Sequence, residues 1–390
     1  MSMQTELTRR AFLEASATLI GGAMLPQVLP AAAADRPAPV AVPSTLVPTQ
    51  AILKRIVEQY ARREDDPWAL MHGIRAMGRD FTIKGESAVD FLCSRYLKRQ
   101  TIGGKGYLYI PLDQEGHTNA LLKTILEAGV SPSHPFRLEG RRYTVGDLAS
   151  GARARFTFDP KTMRDDIAWT LIAFSLQIPP SQESWTTAAG QRVAFSDIIR
   201  FGFDTLDGAT RQLRADRALG RMPEAKDIVQ DLTCGGTHLL YGLASCVGNG
   251  HRGHDFPRRL TEHLDLHVWR LEADGHLMEQ FFRAAAPPPG QEKGWEKLTT
   301  LYHNDSKIKF YGHSFEILSY VKRKRLFSPT PEQRRVIDKA AGTLARAAEG
   351  ISKVDLLEVR RINRRLFHLL IGDVCHAYHG IHMVPGVNQI

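Results

Sequence analysis

The stretch from Lys353 to Gly380, KVDLLEVRRINRRLFHLLIGDVCHAYHG, reads as helix and decides how the rest of the chain is taken. The most apolar run in the folded part of the sequence lies near Leu366 to Val384, but Asp373, His376 and His379 interrupt it. A membrane span needs about 20 apolar residues, so this is a helix of a folded body. Its first half carries Arg360-Arg361 and Arg364-Arg365 as a basic stripe.

Working outward, Ile52, Ile56, Val57 and Tyr60 fall on one face of an opening helix. Asp66 is then an N-cap for a second helix, with Pro67 at its first position. Helical stretches follow around 87–99, 117–128, 164–177, 195–215, 224–247, 257–272, 275–285, 291–303, 312–325 and 331–349. Pro179-Pro180, Gly220, Gly248 to Gly253, Pro287 to Pro289, Pro329 and Pro331 punctuate them. Strand signals are confined to Gly106–Ile110 and Arg141–Val145, as short strands or one small hairpin. The expected fold class is mainly α.

Composition agrees. The 390 residues are 43% hydrophobic and 24% charged, which excludes a disordered or collagen-like chain. Four cysteines are too few for a disulfide-built scaffold. The 51 Lys+Arg exceed the 42 Asp+Glu, and a net charge of +9 favours an anionic partner.

At the N-terminus, Thr8-Arg9-Arg10-Ala11-Phe12-Leu13 resembles the twin-arginine export signal, with Glu14 where that pattern has a loosely kept Lys. The uncharged run Ala15 to Val28 is too short to span a bilayer, and Ala32-Ala33-Ala34 supplies a small-residue cleavage site. The resemblance implies a signal peptide over 1–34, the Tat translocon as a partner, and a periplasmic or secreted destination. Twin-arginine substrates cross the membrane folded, a route suited to cofactor loading before export. There, Cys93, Cys234, Cys246 and Cys375 are expected to oxidise in pairs. Residues 35–49, with four prolines, read as a linker, and 50–390 as a single helical domain.

Small residues share helices with histidine in Trp68 to Gly78, in Cys234 to Gly242, in Tyr311-Gly312-His313-Ser314-Phe315-Glu316 and in Cys375-His376-Ala377-Tyr378-His379-Gly380. Small residues let helices approach closely and leave room for polar side chains to face a cavity. Helices of this style resemble the α/α toroid of six-hairpin glycosidases, polysaccharide lyases and terpenoid cyclases. The alternative architecture is an irregular helical bundle.

Cys234-Gly235-Gly236-Thr237-His238 is the sharpest local feature: on a helix, residues i and i+4 put thiol and imidazole on one face at metal-ligand spacing. The competing account is a tight helix crossing with His238 satisfied in the core. Further histidines, His251-x-x-His254, His263-x-x-x-His267 and Cys375-His376-x-x-His379-x-x-His382, form no motif that names a metal. A divalent metal on Cys234 and His238 is the cofactor considered.

Tyr302-His303-Asn304 and Tyr311-Gly312-His313 offer the side chains that toroid lyases use: an amide to steady a uronate carboxylate, and His or Tyr to move protons. Asp165-Asp166, Asp204, Asp207 and Glu316 give a carboxylate-pair reading. The basic run Lys322 to Arg325 ends a helix, where cations oppose the dipole favourably, and belongs to no nucleic-acid motif. Nucleic acid is therefore not the expected partner; an anionic glycan or membrane surface is. The leading expectation is an exported lyase or hydrolase of an acidic glycan, with His72, His238, Tyr241, Asn304, Tyr311 and His313 as catalytic candidates. A Cys/His metal-binding protein and a non-catalytic helical scaffold are the alternatives.

Overall fold

The computed structural model describes residues 46–382 except 162, 164–166, 183 and 288–293. The export signal, the linker as far as residue 45 and the Asp165-Asp166 pair lie outside the described residues.

Helices dominate. The chain begins with α1 (Val47–Tyr60) and α2 (Pro67–Met77), then β1 (Thr82–Ile83), β2 (Glu86–Ser87) and α3 (Ala88–Arg95). Next come β3 (Lys98–Ile102), β4 (Lys105–Tyr109), α4 (Leu112–Glu115) and α5 (Ala120–Glu127). β5 (Pro135–Leu138), β6 (Arg141–Thr144), α6 (Val145–Arg155) and α7 (Ile167–Ser175) follow, then β7 (Ser184–Thr186), β8 (Arg192–Ala194), α8 (Phe195–Ala209) and α9 (Arg211–Ala218). The second half is helical: α10 (Ile228–Asp231), α11 (Thr237–Gly248), α12 (Phe256–Ala284), α13 (Trp295–Arg323), α14 (Pro331–Ser352), α15 (Leu356–Ile362) and α16 (Arg364–His382).

Several boundaries follow from local chemistry. The Asp66 carboxylate accepts from the Ala69 amide at 2.9 Å, and Pro67 costs nothing at a position whose N–H has no helical partner. The two expected strand segments do not pair with each other. Each instead folds back on its neighbour, β4 on β3 and β6 on β5, as antiparallel hairpins like β1–β2 and β7–β8. The stretch 353–380 is two helices, because Asn363 leaves helical geometry and its side chain accepts from the Leu366 amide at 3.0 Å, restarting the chain as α16.

Conversely, the expected pairs of helices at 257–285 and 291–325 are each one 29-residue helix. Gly275 and Gly312 look like breaks but are contact points. A Cβ on Gly275 would lie 2.4 Å from the Tyr311 hydroxyl, and one on Gly312 would lie 2.8 Å from the Ala377 backbone.

Six helices touch in chain order and close on themselves: α2 on α5, α5 on α7, α7 on α11, α11 on α13, α13 on α16, and α16 back on α2. α1, α3, α6, α8, α12 and α14 pack against this ring. Glycine lets ring neighbours close: Gly242 meets the Ala168 carbonyl, Gly372 meets Trp68, and Gly380 meets the Glu316 backbone. Among the described residues no helix is long and apolar enough to cross a membrane.

Candidate metal centre

A cavity lies among these helices, leaving about 50 Å³ for the centres of water-sized molecules. All six ring helices contribute to its wall, together with α4 and the turn before α11. That turn is not the helix the sequence spacing suggests. Thr233–Gly236 is a tight turn in which Cys234 (φ 51°), Gly235 (φ 65°) and Gly236 (φ 74°) are all left-handed. Glycine adopts this geometry freely, whereas for Cys234 it is strained. The turn is tied down by the Thr237 hydroxyl donating to the Cys234 carbonyl at 2.7 Å, and by Arg270 donating to the Gly235 carbonyl at 2.9 Å. It leaves the Cys234 thiol half-buried at the cavity, with His238 one residue inside α11.

His313 arrives from α13. The donor atoms of Cys234, His238 and His313 all lie within 4.8 Å of one another. His313 Nδ1 is 2.7 Å from the Lys309 carbonyl, which can only accept, so Nδ1 carries a proton and Nε2 is the nitrogen left for a metal, which would displace the proton held there. His72 is fixed in the same way by the Trp68 carbonyl at 2.7 Å, and His376 by the Glu316 carboxylate at 2.7 Å. The His313 ring stacks on His376 at 4.1 Å and meets His238 edge-on at 4.5 Å. Two indoles hold the flanks, Trp68 between His72 and His368, and Trp169 between His117 and His238.

Burial keeps most of these imidazoles neutral. It holds His72 down to about 3 and pushes His238 and His376 well below the usual histidine range, with neighbouring cationic groups adding to the effect. His313 differs. Burial acts downward on it too, but the Cys234 sulfur beside it, with Asp373 and Glu316, raises it to about 9.

Behind the imidazoles runs a buried ion network that sequence reasoning did not assign. Arg75 donates Nη1 to Glu127 and Nε to Glu316 at 3.0 Å. Lys123 lies 3.0 Å from Glu127, and Glu316 also receives His379 at 2.6 Å. The available signal was a charged i,i+4 pair, Lys123 and Glu127, inside the otherwise apolar run of α5.

Four of the sequence candidates, His72, Cys234, His238 and His313, line the cavity. Tyr241 sits behind it, its hydroxyl donating to Glu127 at 2.6 Å. Tyr311 faces α12, donating to the Leu271 carbonyl at 3.1 Å, and Asn304 packs against Gly350 of α14. These two are not brought to the cavity. Asp204 and Asp207 pair with Arg259 instead of with each other. The four cysteines are free thiols rather than pairs. Cys93, Cys246 and Cys375 are buried, where low polarity disfavours the thiolate.

No family model, no curated protein and no solved structure matches this chain.

Proposed function

We propose that this chain is a metalloprotein holding one zinc or copper ion on Cys234, His238 and His313. The observation that carries the reading is the convergence of their three donor atoms, each within 4.8 Å of the others. One thiolate with two imidazoles suits both metals. The tie from His313 Nδ1 to a backbone carbonyl is the outer support usual for a metal-bound imidazole, since it fixes the tautomer and the ring orientation. Three protein ligands leave a fourth position toward the cavity, the pattern of a reactive rather than a purely structural site.

The closed ring of six sequential helices, with others packed against it, supports the α/α toroid as the architecture. A lyase or hydrolase of an acidic glycan has less support. The cavity has room for roughly three or four waters, too little for a sugar ring, and Asn304 and Tyr311 face other helices. We retain export by the twin-arginine route, from Thr8 to Leu13, as part of the proposal.

The test is elemental analysis of protein purified without a histidine tag, after dialysis against zinc or copper. One ion per chain is expected, lost in Cys234→Ser and His313→Ala variants that keep the wild-type circular dichroism. A stoichiometry near zero in the wild type ends the reading.

A further inference from the structure

Two cavity-lining side chains are buried cations from neighbouring helices, Arg75 on α2 and Lys123 on α5, each with a side chain 2% exposed. Their carboxylate partners, Glu127 and Glu316, do not line the cavity. The negative ends of the network therefore stand behind, and the wall presents the positive ends.

Those cations have donors to spare. Arg75 gives Nη1 to Glu127 and Nε to Glu316, and the Tyr241 hydroxyl beside the guanidinium donates to Glu127. Arg75 Nη2 has no acceptor among the described residues. A buried donor without an acceptor is costly, a cost more readily kept where a ligand supplies the acceptor. Lys123 carries three N–H donors and is bonded here to one carboxylate. The wall also carries Lys309 and two carboxylates, Asp373, whose Oδ2 accepts no hydrogen bond among the described residues, and Glu115. Lys309 faces Asp373 at 3.7 Å, and Glu115 accepts from the Asn119 and Leu121 amides.

We propose that Arg75 and Lys123 form a subsite for a small oxyanion of the carboxylate or carbonate class, next to the open position of the metal. The inference rests on the metal reading for one half of the site and on the cationic wall for the other. Size points the same way, since room for roughly three or four waters fits formate or bicarbonate.

The test titrates sodium formate into the full chain loaded with Co²⁺ and follows the visible cobalt bands. Formate is expected to shift them saturably, and formamide, which matches its size without the charge, is not. Lys123→Met should keep Co²⁺ affinity within about twofold and weaken formate by about tenfold or more, the worth of one charged hydrogen bond. Glu127 keeps Arg75 and Tyr241 in that variant. The formate–formamide comparison in the wild type decides the matter even where the variant fails to fold. No formate response, an equal response to formamide, or equal formate affinity in Lys123→Met overturns the subsite. Should Co²⁺ not bind the wild type, the metal reading fails separately, and calorimetry of formate with the metal-free chain tests the wall alone. Saturable heat there supports the cationic subsite, and its absence overturns it.

Discussion

Arg75 and Glu316, 241 residues apart in the chain, meet in the core at 3.0 Å with both side chains almost fully buried. Glu316 also takes His376 and His379, and Arg75 also takes Glu127, so one contact joins α2, α5, α13 and α16. Burying charges is costly, but removing one member of a buried ion pair costs more, because its partners stay charged and unpaired.

Arg75→Met is therefore expected to destabilise the fold by about 3–5 kcal/mol, leaving Glu127 and Glu316 without their shared cation. Urea unfolding against wild type measures it. A loss under about 1 kcal/mol would mean that water reaches the two carboxylates, contrary to their burial.

Helix spacing at the α13–α16 crossing depends on glycine. A Cβ on Gly380 would lie 2.7 Å from the Glu316 amide nitrogen and 2.9 Å from the Gly312 carbonyl oxygen, and neither backbone atom can move aside alone. Gly380→Ala should cost about 1–3 kcal/mol as overpacking. It should also weaken metal binding, because His313 and His376 sit on the two helices that are pushed apart. Thermal unfolding and a zinc titration of the same variant check both.

Acid should unfold this protein early. Burial holds His267 down to about 3, helped by Arg270, and His251 down to about 4. In the unfolded chain both titrate at about 6.5. Between roughly pH 6.5 and 4 the unfolded state binds the extra protons, so stability rises with pH in this window and is lost as pH falls through it. Each such histidine adds about 1.4 kcal/mol per pH unit. Urea midpoints from pH 4.5 to 7 should show this slope, reduced by one proton in His267→Leu; an unchanged slope would sink the assignment for that residue.

Cys234 is the one thiol of the four that is not fully buried. A thiol reagent should label one cysteine quickly in the native metal-free protein, and zinc should protect it. Two or more fast labels, or labelling indifferent to zinc, would count against the site.

Replacing Arg9 and Arg10 together by Lys should leave the precursor in the cytoplasm, read by cell fractionation and by the size of the accumulated chain. Export of the doubly substituted chain at the wild-type rate would remove the twin-arginine reading.

What was legible in the sequence is local. The spacing of Ile52, Ile56, Val57 and Tyr60, the Asp66-Pro67 start and the shortage of strand patterns depend on hydrogen bonds and side chains within a few residues, and they gave the helical class correctly. That His72, His238 and His313 would face one cavity was legible for a related reason: small residues beside histidine mark helix faces that others approach closely. The same local view split 257–285 and 291–325 into two helices each and ran 353–380 as one, because the deciding atoms belong to Tyr311, Ala377 and a new helix start at Asn363.

Only the tertiary structure decided which polar residues share a site. Cys234 reaches His238 through a left-handed turn rather than along a helix, and His313 joins them from 75 positions further on. Asn304 and Tyr311 lie on the same helix as His313 yet face α14 and α12, since successive residues on a helix point in different directions. Nothing local in the sequence joins Arg75, Lys123 and Glu316 to one another. They become the wall and backing of a cavity because the ring of helices removes them from water, and a charge without water must find its partner in the chain.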